Sequence, residues 1–289
     1  MAYGDGKAVL RICGEGEKMI EVIKQQFSKE MSNEEKTNRV REYLQAIALK
    51  IMDEKGFFGF VAFTGGTALR MLFGLRRFSE DLDFSLIKKN GPSFSEINSA
   101  LCKGFALLGL KVESKPHLTK SIFRTMLKFP GLLNALGISP LEKQNLSIRL
   151  EADINPPKGA LIQRTLIQKF FIFHLTHLDL PSMFATKLHA CFYRRYTKGR
   201  DFYDFVWYMT NKVKPNFLLL NNAIKQTEGV NPKINEKNFK GFLLERIKRI
   251  NFDFVRKDVE RFLEDKSELR LLDINLIKGT IESVYSVTS

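Results

Sequence analysis

The segment 63–84, FTGGTALRMLFGLRRFSEDLDF, contains the residues of this sequence that are best suited to chemistry. It places a glycine turn with a hydroxyl one short helix ahead of two aspartates spaced i, i+2. Side chains at i and i+2 of a β-strand lie on the same face, so a strand here would point both carboxylates one way. Backbone N–H groups of a glycine turn before a helix bind phosphate. The residues that together indicate a nucleotide-handling site are Gly65, Gly66, Thr67, Asp81 and Asp83.

A divalent cation is the predicted partner of Asp81 and Asp83. Two like charges held a few ångström apart repel each other and need a counter-charge. Mg²⁺ takes one or two protein carboxylates and keeps its other positions for water and phosphate oxygens, and Mn²⁺ could replace it. The simpler interpretation is an acidic pair at a strand edge, bridged to Arg76 or Arg77. The glycine turn at this spacing favours the metal site.

A strand predicted over 146–154 alternates apolar and polar residues and carries Glu151 and Asp153 on its polar face. Phosphoryl transfer with two metal ions benefits from a third acid that accepts the proton of the attacking hydroxyl or lowers its pKa. If this strand lies beside the strand of Asp81 and Asp83, Asp153 can reach their site. Asp153 is therefore the predicted third acid. The alternative is that both acids only line the solvent face of an exposed strand.

A second dense cluster occupies 187–204, KLHACFYRRYTKGRDFYD. Lys187 shares a helix with apolar residues, which predicts partial burial, and it is interpreted as a ligand of a triphosphate. Asp201 and Asp204 lie three residues apart on the next helix and so occupy one face. With Arg200 they would orient the lysine or bind the base and ribose. The alternative is that these acids only meet the helix dipole and a salt bridge to arginine.

The composition predicts a folded protein with a polyanionic partner. Hydrophobic residues are 44% of the 289 and include 25 Phe, which provides a substantial core and excludes a disordered chain. The net charge of +14 at pH 7 favours a nucleic acid or a highly charged nucleotide. Solubility alone is the alternative explanation of this charge.

The cysteines and the apolar pattern predict a cytoplasmic location without membrane contact. Cys13, Cys102 and Cys191 show no zinc-binding spacing and are interpreted as reduced thiols. The N-terminal stretch has no apolar core typical of a signal peptide. No apolar run approaches the roughly 18 residues that indicate a membrane span.

The element pattern predicts an α/β N-terminal half and a helical C-terminal half, with a boundary near 175–181. In the first half, strands are predicted over 57–63 and 79–86, with a short helix over 68–73 between them. A strand over 165–173 ends this half. Past Pro181 only helices are predicted.

These motifs resemble those of the AbiEii/AbiGii-type nucleotidyltransferase toxins, a family of the polymerase-β-like nucleotidyltransferase superfamily. The first family motif, GGT-x-L followed by R-x-S-x-D-x-D-F, is matched by the segment 63–84 and brings in Arg77 and Ser79 as nucleotide-binding residues. The strand RLEADINPP resembles the family's later acidic strand, which carries Asp153. TKLHACFYRRYTKGRDFYD resembles its lysine and R-D-x-x-D motif. The resemblance covers about 57–210.

The resemblance implies an α+β fold in which a small mixed β-sheet nucleotidyltransferase core with flanking helices is followed by a helical C-terminal domain. The implied domains are 1–178, the core with its N-terminal helices, and 179–289, a helical domain that closes the active-site cleft.

The resemblance also implies a Mg²⁺-dependent enzyme that moves NMP from an NTP to an acceptor, a tRNA 3′ end, as the toxin of a type IV-like toxin–antitoxin pair linked to phage defence. Its antitoxin would be encoded next to it. The implied catalytic residues are Asp81, Asp83, Asp153 and Lys187, of which the three aspartates bind metal. The implied nucleotide-binding residues are Gly65, Gly66, Thr67, Arg77, Ser79, Lys187, Arg200, Asp201 and Asp204.

Two alternatives remain open at the level of the sequence. The same site could transfer the nucleotide to a protein or a small molecule. The chain could instead be a non-catalytic module that binds nucleic acid.

Overall fold

A computed structural model of the chain describes residues 18–285. The predicted free thiol of Cys13 and the N-terminal stretch predicted to lack a signal peptide lie outside this range. Within the described range, the first helical residues are 18–24.

Eight β-strands form one mixed sheet, which confirms the predicted fold class. The strands are β1 Val61–Thr64, β2 Asp81–Leu86, β3 Glu113–Ser114, β4 His117–Leu118, β5 Ile122–Phe129, β6 Leu146–Asp153, β7 Ile162–Gln168 and β8 Ile172–Leu178. Their hydrogen-bonded order is β3-β5-β6-β2-β1-β8-β7, with β4 beside β5. β1 pairs with β8 and β2 pairs with β6 in parallel, whereas β5 is antiparallel to β3, β4 and β6.

Helices make up most of the remaining described chain. They are α1 Asn33–Glu54, α2 Gly65–Phe73, α3 Phe94–Leu107, α4 Leu132–Ala135, α5 Leu180–Tyr193, α6 Gly199–Thr210, α7 Phe217–Glu228, α8 Glu236–Ile247, α9 Phe252–Val259 and α10 Ile274–Val284. Short 3₁₀ turns occur at Phe57–Gly59, Glu260–Phe262 and Lys266–Leu271. None of the helices within 18–285 is long and apolar enough to cross a membrane.

The chain divides into two compact units, each built from three segments. The first unit comprises Met1–Phe63, Ser79–Asn155 and Arg164–His177, and contains nearly all of the sheet. The second comprises Thr64–Phe78, Pro156–Gln163 and Leu178–Ser289, and contains α2 and α5 to α10. The division predicted at 178 stays a prediction for the functional domains.

In the first unit, α1 and α3 pack closely. Ser32 starts α1 with a capping box, in which its hydroxyl accepts a hydrogen bond from the Glu35 N–H while the Glu35 carboxylate accepts one from the Ser32 N–H. A Cβ added at Gly104 of α3 would lie 2.6 Å from Cδ1 of Ile51 on α1. Glycine at this position therefore permits the close approach of the two helices.

In the second unit, α6 is surrounded by other helices. It packs against α5, α9 and α10. Its buried aromatic residues contribute to a core in which the rings of Phe184 and Tyr208 stack at 4.4 Å. α6 begins at Gly199, whose N–H donates to Oδ2 of Asp258 at 2.7 Å. A Cβ at Gly199 would lie 2.3 Å from the carbonyl oxygen of Val255, so α9 crosses directly over the start of α6.

Three predicted elements differ from the structure. The single strand predicted over 165–173 is wrong, because this region forms two strands, β7 and β8. The strand predicted from 57 begins at Val61, after a 3₁₀ turn. The helix predicted from Ala68 begins at Gly65, so the glycines form its first turn and no separate loop precedes it.

The start of α6 gives the first testable prediction. We expect Gly199→Ala to destabilise the protein by about 3 kcal/mol, because the new methyl group would overlap backbone atoms that cannot move away freely. Gly279→Ala in α10 is the matched control, since a Cβ there meets nothing within 4 Å and alanine favours helix by about 1 kcal/mol. Urea unfolding monitored by circular dichroism measures both. Equal stability of the two variants would contradict the close helix contact.

Candidate active site

The predicted catalytic acids lie on one face of the first unit's sheet. In the parallel β2–β6 pair, Asp81 lies opposite Arg149, Asp83 opposite Glu151, and Ser85 opposite Asp153. Alternation along each strand places these side chains on the same side, while Leu82, Phe84, Leu150 and Ala152 are buried on the other. We call the side chains of Asp81, Asp83, Arg149, Glu151 and Asp153 the carboxylate face.

Arg149 supplies the positive charge of the carboxylate face. Its Nη2 donates to Oδ2 of Asp81. Burial by itself lowers the pKa of Arg149. The negative charges of Asp81, Glu151 and Asp83 outweigh this effect, so the pKa of Arg149 is raised. The arginine Nε is buried without a hydrogen-bond partner. Arg149 therefore balances the charge of the aspartate pair.

Asp153 differs from the two aspartates of β2 in its surroundings. Its Oδ1 accepts a hydrogen bond from the N–H of Asn155 at 2.9 Å. Burial, together with the charge of Glu151, raises the pKa of Asp153 above its usual value, despite that hydrogen bond. Glu151 itself is paired with Arg124 at 2.8 Å. A raised pKa suits Asp153 to accept a proton.

The carboxylate face fits a divalent cation in its chemistry, since Asp81 and Asp83 offer hard oxygen ligands on one side of a strand. Within residues 18–285, no three His, Cys, Asp or Glu side chains are grouped closely enough to hold one metal ion. Metal binding by Asp81 and Asp83, with water and phosphate oxygens completing the shell, stays a prediction, and so does the participation of Asp153.

In the second unit, the glycine motif forms the N-terminus of α2. Gly65 has φ +79°, a conformation that side chains other than glycine rarely adopt. A Cβ on Gly66 would lie 2.3 Å from Nη2 of Arg77, so this glycine makes room for the guanidinium. Thr67 is fully buried. The motif therefore offers backbone N–H groups to a phosphate. The Thr67 hydroxyl is not exposed in this structure, and its role in nucleotide binding stays a prediction.

Lys187, Asp201 and Asp204 come together in the second unit with Arg77 and Arg194. We call these five residues the buried charge cluster. Arg77 binds Asp204 through two hydrogen bonds of 2.6 Å from Nε and Nη2, and Lys187 Nζ lies 2.7 Å from Asp201 Oδ1 and 2.8 Å from Asp204 Oδ2. Arg194 Nη1 binds Oδ2 of Asp201. Two buried cations balance the two buried carboxylates, and Arg194, the exposed member, adds one positive charge at the edge of the cluster.

The charges of the cluster stabilise one another. Lys187 is buried, which lowers its pKa, but Asp201 and Asp204 raise it well above the usual value. Burial alone would raise the pKa of Asp201, but Lys187 and Arg194 lower it to about 2. Lys187 is therefore positively charged at neutral pH. The interpretation in which the R-D-x-x-D motif orients the lysine agrees with these contacts.

Two predicted nucleotide-binding residues lie outside these groups. Ser79 is buried in the first unit, where its carbonyl oxygen accepts a hydrogen bond from Gln45 Nε2 at 3.0 Å. Arg200 is in the second unit, with its Cζ 4.4 Å from the ring centroid of Phe262. The role of both residues in nucleotide binding stays a prediction.

The simpler interpretation of the β2 acids was wrong about their partner. Arg77 pairs with Asp204 and Arg76 with Glu268, while Asp81 pairs with Arg149. Arg149 was not among the predicted site residues. The signal for it was present, because it precedes Glu151 by two residues and Asp153 by four on an alternating strand. Arg194 was likewise not assigned a role, although it stands seven residues before Asp201.

The buried charge cluster gives a prediction about acid stability. The folded-state pKa of Asp201, about 2, lies below the ordinary value of 3.8, so its ionisation stabilises the fold above pH 4 and this contribution is lost as the pH falls from 4 to 2. A shift of this size corresponds to about 2 kcal/mol. We therefore expect the stability of the wild type to fall over this interval. We expect Asp201→Asn to be less stable than the wild type by about 3 kcal/mol at pH 7, and its stability to change less with pH.

The measurement for Asp201→Asn is the free energy of unfolding in urea at pH 7, 4, 3 and 2. Glu236→Gln is the control, because Glu236 pairs with Lys214 while 66% exposed, and an exposed pair contributes about 1 kcal/mol at most. Parallel pH curves for wild type and Asp201→Asn would show that the cluster does not shift this carboxyl.

The chain is similar in fold to solved structures of other proteins. The chain covers 93% of a crystal structure from H. pylori provisionally assigned as a nucleotidyltransferase, with 85% of its own residues aligned, a TM-score of 0.50 and 20% identity. JHP933 from Helicobacter pylori aligns with 83% of this chain and 93% of its own, at a TM-score of 0.43 and 18% identity. The first similarity supports the fold. No curated protein sequence matches the chain.

The family assignment comes from the sequence match over residues 47–274. The matched family is described as nucleotidyl transferase AbiEii toxin, type IV TA system, and the match includes the glycine motif, the acids of β2 and β6, and the lysine motif. With the predicted resemblance thus confirmed, the chain belongs to the AbiEii family of nucleotidyltransferase toxins, whose type IV toxin–antitoxin context implies an antitoxin partner.

Proposed function

We propose that this nucleotidyltransferase is a cytoplasmic, Mg²⁺-dependent enzyme that transfers NMP from an NTP to the 3′ end of an RNA, with tRNA as the preferred acceptor. The observation that carries the proposal is the carboxylate face, where Asp81 and Asp83 share one side of β2 and Asp153 follows on the adjacent parallel strand. Its antitoxin is proposed to be encoded beside it.

The carboxylate face would hold the metal and prepare the acceptor. Asp81 and Asp83 would bind Mg²⁺, which when bound neutralises charge on the triphosphate. Asp81 would then bind the cation in place of Arg149, and the Arg149 guanidinium would become available to another anion. Asp153, whose pKa burial raises, would accept the proton of the acceptor hydroxyl.

The second unit would hold the triphosphate. The first N–H groups of α2 have no partner within the helix, and the positive end of its dipole favours an anion. Lys187 is fixed by two aspartates, so its side chain would neutralise phosphate charge without first losing conformational freedom. Arg77 would keep Asp204, and with it Lys187, in place.

Nucleic acid is the acceptor class that the charge favours. The net charge of +14 increases both the association rate and the affinity of the protein for a polyanion. An RNA 3′ end also presents the hydroxyl that NMP transfer requires. Transfer to a protein or to a small molecule uses the same chemistry at the phosphate, so the acceptor has to be identified by direct labelling.

The test incubates the protein with each α-labelled NTP, Mg²⁺, and either total RNA, purified tRNA or total protein. We expect label in RNA of tRNA length, removed by a 3′ exonuclease and absent with EDTA. Label confined to protein would overturn the RNA acceptor. Label in RNA that persists without divalent cations would overturn the metal requirement.

The acids of β2 provide the matched variants. We expect Asp83→Asn to lower transfer at least 100-fold, because it removes a ligand from the proposed metal site. Glu151→Gln, directly opposite Asp83 in the pairing, should change transfer only a few-fold, because Glu151 is paired with Arg124. Initial rates at saturating NTP measure both. If the two variants lose activity equally, the assignment of metal binding to the β2 pair is wrong.

A further inference from the structure

Two adjoining cavities lie on the surface of the second unit, formed by the C-terminal part of α5, the end of α7, α8 and the segment before α8. Their volumes are about 410 Å³ and about 330 Å³. Both are lined by Tyr193, Pro232 and Arg246. We call the pair the Arg246 groove. None of its lining residues belongs to the carboxylate face.

Arg246 is fixed in position by aromatic rings and has no acidic partner. Its Cζ lies 4.5 Å from the ring centroid of Tyr193 and 5.6 Å from that of Phe242, and its Nη2 donates to the Tyr193 hydroxyl at 2.8 Å. The Tyr193 ring is itself stacked with His189. Within residues 18–285 the guanidinium forms no ion pair, and this hydroxyl is the acceptor of its side-chain hydrogen bond.

A guanidinium carries five N–H donors in a planar fork that matches a phosphate. Arg246 is partly buried, so most donors of an ordered cation remain available beside two open cavities. Acids at the groove do not remove this charge. Glu245 is paired with Arg249, and Glu228 does not reach Arg246 within ion-pair distance. The groove is therefore organised to bind an anion.

The edge of the groove adds further cations and an exposed ring. Lys237 lines the larger cavity and is exposed. Arg194 lines the smaller cavity while pairing with Asp201, which connects the groove to the buried charge cluster. Tyr196 is 61% exposed, and the cations of Arg194 and Lys198 lie over its ring, 5.8 and 5.6 Å from the ring centroid. An exposed ring is a platform on which an unpaired base can stack, and a base that stacks on Tyr196 takes the place of one of these cations.

We propose that the Arg246 groove binds the phosphodiester backbone of single-stranded RNA, with Arg246 on a phosphate and an adjacent unpaired base stacked on Tyr196. This inference rests on the proposed RNA acceptor and assigns it a binding site apart from the acids. Phosphate with a neighbouring base accounts for both features, a guanidinium without an ion pair among the described residues and an exposed aromatic ring. An acidic peptide would use the cations but would leave the ring without a defined role.

The test measures binding without metal or NTP, by fluorescence anisotropy of labelled RNA at several salt concentrations. We expect Arg246→Gln to weaken binding of a single-stranded RNA roughly tenfold or more, and to reduce the slope of log K against log salt by about 1. Lys237→Gln should reduce the slope similarly. Arg270→Gln is the control, because it removes the same charge from an exposed site that lines neither cavity.

Tyr196→Ala tests the stacking. This substitution should leave the fold undisturbed, because the ring is exposed. It should weaken binding of single-stranded RNA by fivefold or more and leave fully duplex RNA nearly unchanged. Thermal melting of each variant shows whether unfolding is the cause of weaker binding. Arg246→Lys should bind single-stranded RNA more tightly than Arg246→Gln but less tightly than the wild type, because lysine keeps the charge and loses the planar fork of donors.

Three outcomes would overturn the groove assignment. Arg246→Gln and Lys237→Gln could bind RNA like Arg270→Gln, in which case RNA lies elsewhere and the proposed transfer reaction stands. Arg246→Gln could weaken binding of free ATP as strongly as that of RNA, in which case the groove is a nucleotide site. Wild type could fail to bind RNA at all, in which case the proposed acceptor falls together with the groove.

Discussion

Arg77 is the residue on which the start of α2 and the buried charge cluster both depend. Its guanidinium lies where a side chain on Gly66 would have to be, and its two hydrogen bonds fix Asp204. Asp204 in turn binds Lys187, which Asp201 also holds. A buried charge is tolerated only when it is paired, so each member of this chain requires the next. The N-terminus of α2 and the lysine motif are thereby linked through one side chain.

The first unit solves a different electrostatic problem. Asp81 and Asp83 repel each other on one side of β2, and the parallel register with β6 brings Arg149 opposite Asp81. An arginine can balance these acids in the absence of a cation, and a divalent ion carries the charge needed to replace it. The same register sets Asp153 two positions further along, in surroundings where burial raises its pKa. One strand pairing therefore gives three acids different roles.

The sequence was informative where a pattern is local. Alternation over 146–154 predicted both β6 and its polar face, because one side of this strand is buried and the other is not. The hairpin of β7 and β8 was missed because β7 is exposed at almost every position and shows no alternation. The partner of Arg77 could not be predicted, since Asp204 is 127 residues away and several nearer acids were equally plausible. Ion pairs between residues far apart in the sequence depend on the fold, and the spacing of residues along the chain does not predict them.

The energetics of the buried charge cluster favour a functional explanation. Replacing a buried ion pair by apolar residues of similar size is often neutral or stabilising, so five charged residues are a poor means of stabilising a helical unit that already has a large aromatic core. A fixed, protonated lysine in such surroundings is what a triphosphate requires, because it offers charge without reorganisation. Asp201 and Asp204 hold Lys187 in place by direct contact with its ammonium group.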